Sequence, residues 1–252
     1  MTPERREAIS AQLLERARRD TQVVGAAITG SIARGAADRW SDIDLYLGVA
    51  ADADLGAVLA QWSDFAYGEL RALHHFDLHA GGVIYRAFLL AELVEVELAF
   101  ARPGEFGPHG DGEFAVVFGT ALPRRSSPPL DTEHVIGRSW HHVLHARNAI
   151  ERGKLWEAEY WISAIRDNTL TLAAARLGLP THYAKGADAL PAQLKSALED
   201  ALVGALRPDE LRRALAVAAS ALTAELRRSS ASAAAVLAGP LEALAGQLPR
   251  PR

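Results

Sequence analysis

The stretch "ALPRRSSPPLDT", residues 121–132, constrains this chain more than any other feature. Proline lacks a backbone donor and blocks the interior of both helix and sheet, so a segment this rich in proline and serine reads as a linker. The pattern on either side of it differs in kind. Before it, apolar residues come in short runs broken by glycine and proline, as strands do. After it, they recur every three or four residues over long spans, as helices do. Two domains are expected, a small mixed α/β unit over 1–125 and an all-α bundle over 131–252. With 252 residues, 49% of them hydrophobic, there is material for two separate cores.

In the first half, Thr2-Pro3 reads as a helix cap and first helical residue, and Ile9, Leu13, Leu14 and Ala17 then recur at helical spacing over 3–19. "VVGAAITG" (23–30) fits a buried strand, Ser31 to Asp38 a turn into a short helix, and "DIDLYLGVA" (42–50) a second strand. A helix is expected over 54–70. Strands follow over 73–80, 83–90, 93–100 and 114–119, with Gly81-Gly82 as a hairpin turn and a Gly/Pro loop over 102–114. The expected architecture is a small mixed sheet with helices on one side.

In the second half, helices are expected over about 133–152, 154–177, 191–206, 208–228 and 230–246. Trp156 and Trp161 read as core residues, and the tail "GQLPRPR" as frayed.

Composition removes several function classes. The absence of cysteine excludes disulfide frameworks, thiolate zinc sites and cysteine nucleophiles. A net charge of -4 with no basic stripe gives little support to nucleic-acid binding. No apolar run reaches the roughly 18 residues of a membrane span, and "MTPERREAIS" has no signal core. A soluble, cytoplasmic protein is expected, a monomer or homodimer. Gly-x-Ser-x-Gly and Walker loops are missing, which leaves serine hydrolase and P-loop chemistry unsupported.

The chemistry concentrates in "GSIARGAADRWSDIDL" (30–45). Asp42 and Asp44 at i and i+2 of a strand share one face. Two like charges there repel, unless a divalent cation sits between them. Mg²⁺ takes oxygen ligands, commonly one or two carboxylates plus substrate phosphates. Upstream, Gly30 lets a phosphate approach the backbone closely, and Ser31 adds a donor near a helix start. Arg34 and Ser41 lie close in sequence and are further candidates for phosphate binding.

Gly-Ser, ten residues, then Asp-Ile-Asp on a strand resembles the signature of the nucleotidyltransferase superfamily that includes DNA polymerase beta. It is similar above all to the form in bacterial aminoglycoside and lincosamide nucleotidyltransferases. The resemblance implies Mg²⁺, ATP or another NTP as co-substrate, and transfer of a nucleoside monophosphate to a hydroxyl of a small acceptor, with a role in antibiotic resistance. It also implies a third carboxylate on a later strand. Glu95 and Glu97 in "LVEVELAF" are the candidates, and Glu97 is preferred because "LAFARPGEF" looks like the family segment after that acid. The family's usual residue there is aspartate.

"RSWHHVLHARNAIERGKLWEAEYWISAIRDNTLTLAAARLGLP" (138–180) resembles, more loosely, the helical acceptor-binding domain of the same group. Glu159, Ser163 and Arg166 share a helix stripe there, and Glu159 is the candidate carboxylate to accept the acceptor's proton. A protein-binding, antitoxin-like relative and an inactive nucleotide-binding relative are the alternatives. His141 and His145 have metal-helix spacing, but His142 stands where such a site needs glutamate, and packed histidines are expected instead. His75, Asp77 and His79 alternate along a strand without a further ligand.

Overall fold

The computed structural model describes residues 2–247, with side chains to residue 245. It divides into two units, Met1–Pro128 and Pro129–Arg252.

Unit 1 is built on one six-stranded sheet. Helix α1 (Pro3–Arg19) is capped by the Thr2 hydroxyl, which accepts from Arg5 N–H at 3.2 Å. Then come β1 (Val23–Ile28), the single-turn α2 (Gly30–Ala33), β2 (Ile43–Val49) and α3 (Leu55–Gly68). Strands β3 (Ala72–Ala80), β4 (Val83–Leu90), β5 (Glu95–Ala101) and β6 (Ala115–Phe118) complete the unit. The strand order is β3-β4-β5-β2-β1-β6, and β2–β5 is the parallel pair.

The two faces of this sheet have different fates. Ile43, Leu45, Leu47 and Val49 of β2 alternate onto the face that also carries Val96, Leu98 and Phe100 of β5. That face packs on Ile9, Leu13 and Ala17 of α1 and on Val58, Leu59 and Trp62 of α3. Burial of this apolar set is the main stabilising term of the unit. The opposite face holds a smaller cluster of Ala27, Tyr46, Ala99, Ala101 and Phe106. Here the Phe106 ring lies directly on the sheet, where a Cβ at Gly25 would come within 2.7 Å of it and one at Gly48 within 3.0 Å. Those two glycines are what let the 102–114 loop fold down over β1 and β2. The other half of this face, over β5, β4 and β3, carries Glu97, Tyr85, Leu89, Phe76 and Leu78.

Unit 2 is helical: α4 (Thr132–Glu151), α5 (Leu155–Arg176), α6 (Ala192–Glu199), α7 (Pro208–Ser229) and α8 (Ala231–Gln247), with two short 3₁₀ turns between α5 and α6. Its core is mostly alanine and leucine from α4, α5, α7 and α8. One buried ion pair crosses it. Arg176 donates twice to Glu225, at 2.6 and 3.1 Å, and the Glu225 side chain is 0% exposed.

Three expectations change here. The helix expected over 191–206 ends at Glu199. The Arg213 guanidinium captures the carbonyls of Asp200 and Leu202 at 2.5 and 2.7 Å, and Glu210 accepts from Gly204 N–H at 2.9 Å, so the backbone there bonds to α7 side chains instead. Trp156 is 77% exposed rather than in the core, because it lies in the first turn of α5 beside the polar residues Lys154 and Glu157. Strand β2 begins at Ile43, so Asp42 precedes the strand instead of lying on it. The backbone of α8 continues to Gln247, and the rest of the tail expected to fray lies outside the described residues.

Candidate active site

The site grows from the turn between β1 and β2. Thr29 N–H donates to the Asp44 carbonyl at 3.2 Å, which ties the end of β1 to the start of β2. The chain then reverses at Gly30, whose φ of +66° glycine adopts without the strain a Cβ brings. A second constraint acts on the same residue. A Cβ at Gly30 would lie 1.8 Å from Asp44 Oδ2, so the Asp44 carboxylate is folded over the glycine backbone. Gly30 and Asp44, fourteen residues apart, are thus one steric unit.

The sheet register sets a glutamate beside Asp44. Asp44 is the direct cross-strand partner of Glu97 in the parallel β2–β5 pair, with Cβ atoms on one face. Glu95 sits one pair further out, opposite Leu89, and is exposed. Register thus puts Glu97, and not Glu95, across from Asp44, which spacing within one strand cannot supply. Asp42 is exposed at the mouth of β2, just ahead of the pair. Glu97 also shares its face with Tyr85. Burial raises the Tyr85 phenol above its usual pKa, and the Glu97 and Glu105 charges push it the same way. Tyr46, edge-on to Tyr85 at 6.2 Å between centroids, is likewise raised, first by burial.

The remaining candidates fall in different places. The Ser31 hydroxyl oxygen is buried in α2 and has no hydrogen-bond partner. A buried hydroxyl left unpaired costs about 1–3 kcal/mol, which marks a polar group missing from this turn. The Ser41 hydroxyl is engaged within its own loop, donating to Asp38 Oδ1 at 3.0 Å and accepting from Asp38 N–H at 2.9 Å, so it shapes the loop. Arg34 follows α2 as its C-cap and is exposed. In unit 2, Ser163 donates to Glu159 at 2.6 Å along α5. Among the described residues, no three His, Asp or Glu side chains gather into a ready-made metal cage. Two carboxylates that leave room for water and substrate oxygens are the form of site Mg²⁺ takes.

The two histidine-rich stretches have structural duties. Asp77 is bound twice by Arg86, at 2.7 and 2.8 Å, and Arg86 also donates to Leu59 O and Ser63. His75 Nδ1 meets the Tyr67 hydroxyl at 2.7 Å. His142 is buried against Trp161, with ring centroids 4.9 Å apart, and burial followed by the nearby Arg138 charge lowers its pKa.

Comparison with known proteins bears on this turn. Residues 10–78 match the family model described as "Nucleotidyltransferase domain". That match lies within unit 1 and covers its glycine-led turn. The matched segment contains Gly30, Ser31, Asp42 and Asp44 and ends before β5, so it does not reach Glu97. A solved aminoglycoside 6-adenyltransferase from Bacillus subtilis is similar to this chain at 10% identity and a TM-score of 0.41, covering 95% of this chain and 97% of that one. No curated protein matches it. Among the described residues, no helix is long and apolar enough to cross a membrane.

Proposed function

We propose that this enzyme moves a nucleoside monophosphate, AMP from ATP in the first instance, onto a hydroxyl of a small molecule. The observation that carries the reading is the Gly30–Asp44–Glu97 arrangement: a glycine whose positive φ and contact with the Asp44 carboxylate leave no room for a Cβ, and a second carboxylate directly across the strand pair. Asp44 and Glu97, with Asp42 at the strand mouth, are the residues that would hold Mg²⁺. Their all-oxygen donor set suits that hard cation better than zinc. Bound there, Mg²⁺ would neutralise charge on the triphosphate and the pentavalent phosphorus.

The chain's own groups divide the remaining work. Gly30 admits the triphosphate to the backbone, and the Ser31 hydroxyl, which lacks a protein partner, gains an acceptor in a phosphate oxygen. Arg34 supplies a positive charge one turn on. The acceptor oxygen forms a bond to the α-phosphorus as the bond to the bridging oxygen breaks, and pyrophosphate leaves with that electron pair. The hydroxyl proton passes to a carboxylate, for which Glu97 is the candidate within unit 1. We assign the helical unit, over 131–252, to acceptor binding. Positioning and charge neutralisation account for most of the rate.

Pyrophosphate release from ATP and from GTP, with Mg²⁺ and panels of aminoglycosides, lincosamides and simple polyols, tests the reading. Acceptor-dependent release that disappears in Asp44→Asn supports it. Mg²⁺-dependent nucleotide affinity unchanged by Asp42→Asn and by Asp44→Asn overturns it.

A further inference from the structure

Unit 2 holds a cavity of its own, of about 380 Å³, within the size range of small-molecule sites. Three helices supply its walls: Arg176 ends α5, Gln193, Leu194 and Ala197 belong to α6, and Ala224 and Arg228 to α7. The floor is apolar. Leu194 and Leu198 pack with Ala173 of α5 and Ala221 of α7 in one small core.

The rim carries two guanidinium groups. Arg176 commits Nε and one Nη2 donor to the buried Glu225, at 2.6 and 3.1 Å. A guanidinium has five N–H donors, and those on Nη1 meet no partner among the described residues. Arg228 is exposed, and its side chain makes no ion pair or hydrogen bond with a described residue. The mouth of the cavity is thus polar and wet, and its depth is apolar.

The charges around it leave this rim positive. Glu225 is neutralised by Arg176, and Glu242 of α8 by Arg227 at 2.6 Å. Glu199 and Asp200 are exposed at the C-terminal end of α6, where the Asp200 charge acts on Arg213. Asp188 is exposed in the turn ahead of α6, and Lys195 donates to its carbonyl at 2.8 Å. Among the described residues, no carboxylate stands in the cavity wall. One net positive charge remains there, that of Arg228, beside the open edge of Arg176.

A planar fork of N–H donors matches a carboxylate, and a single negative charge balances the rim. The wall below it accommodates a short hydrocarbon chain. We propose that this cavity binds a small aliphatic carboxylate, its charged end between Arg228 and Arg176 and its chain on Leu194, Ala197 and Ala224. Inorganic phosphate would leave the apolar wall bare. The inference rests on unit 2 alone and does not depend on the nucleotidyl-transfer reading.

Hexanoate and hexylamine, which share a chain and differ in the sign of their charge, are each titrated into the full chain at neutral pH and followed by saturation-transfer NMR. Inorganic phosphate is then added as a competitor against hexanoate. Hexanoate is expected to bind and hexylamine to give no response. Arg228→Gln is expected to weaken hexanoate about tenfold with the melting temperature unchanged. Ala197→Glu, which tethers a carboxylate in the cavity, is expected to abolish binding. Hexylamine that binds as tightly as hexanoate overturns the proposal. So does hexanoate affinity that Arg228→Gln leaves within about twofold, or that survives in a folded Ala197→Glu chain. Phosphate that displaces hexanoate at equal concentration also overturns it, since the chain then adds nothing. If Ala197→Glu fails to fold, Arg228→Gln decides alone, because an exposed side chain is removed there without opening the core.

Discussion

The two units differ in how deeply they bury an acid with its arginine. In unit 2, Glu225 is fully buried against Arg176, and Glu210 and Glu151 meet Arg213 and Arg212. In unit 1, Asp77, Glu92 and Glu105 meet Arg86, Arg5 and Arg125 nearer the surface. Asp44 and Glu97 are set side by side on adjacent strands by sheet register. A fold-holding acid is placed by its arginine, whereas these two are placed by backbone pairing, and like charges so placed repel.

The largest effect that can break this contrast is catalytic. Asp44→Asn is expected to lower turnover by about 10³-fold or more, equivalent to about 4 kcal/mol of barrier, while the melting temperature stays close to wild type. A collapse of the fold instead would class Asp44 with the structural acids. Next comes Arg176→Ala, expected to cost about 3–5 kcal/mol of stability because it strands a fully buried carboxylate. Urea denaturation measures this, and Arg176→Ala with unchanged stability would remove the contrast from its other side.

Gly30→Ala falls between the two kinds. It places a Cβ against the Asp44 carboxylate and strains a positive φ. About 1–3 kcal/mol of stability should go, together with Mg²⁺-dependent nucleotide affinity, read by melting curves and titration calorimetry. A smaller comparison decides between the two glutamates. Glu97→Gln should reduce turnover by about 10²-fold and Glu95→Gln by less than about twofold; equal effects would show that register does not select the acid.

The smallest expected effect is a pH dependence. Donation from Arg213, above all, holds the Glu210 carboxyl at about 2, below its ordinary 4.5. With the folded value depressed, the unfolded chain takes up the proton first as pH falls. The stabilisation is therefore present above about 4.5 and is lost between 4.5 and about 2. Glu210→Gln should flatten this part of the stability-against-pH curve.

Much of unit 1 could be read locally. Thr2 and Pro3 announce α1, Gly81-Gly82 marks the β3–β4 hairpin, and Gly30-Ser31 with Asp42 and Asp44 marks the chemistry, because turns, caps and strand alternation depend on residues a few positions apart. Unit 2 was less legible. The helices were visible, but the early stop of α6 and the exposure of Trp156 depend on what packs against each segment. The unpaired Ser31 hydroxyl and the use of Ser41 by Asp38 left no trace in spacing either.

The order of residues alone determined the division at the proline-rich linker, the type of most elements, and the presence of an acidic, glycine-led turn, since each is written in short-range backbone preferences. Only the tertiary structure decided that Glu97 and not Glu95 stands beside Asp44, and that Asp44 closes over Gly30. Strand pairing brings together residues that the chain separates by tens of positions, and its register follows from burying one whole face of the sheet against α1 and α3.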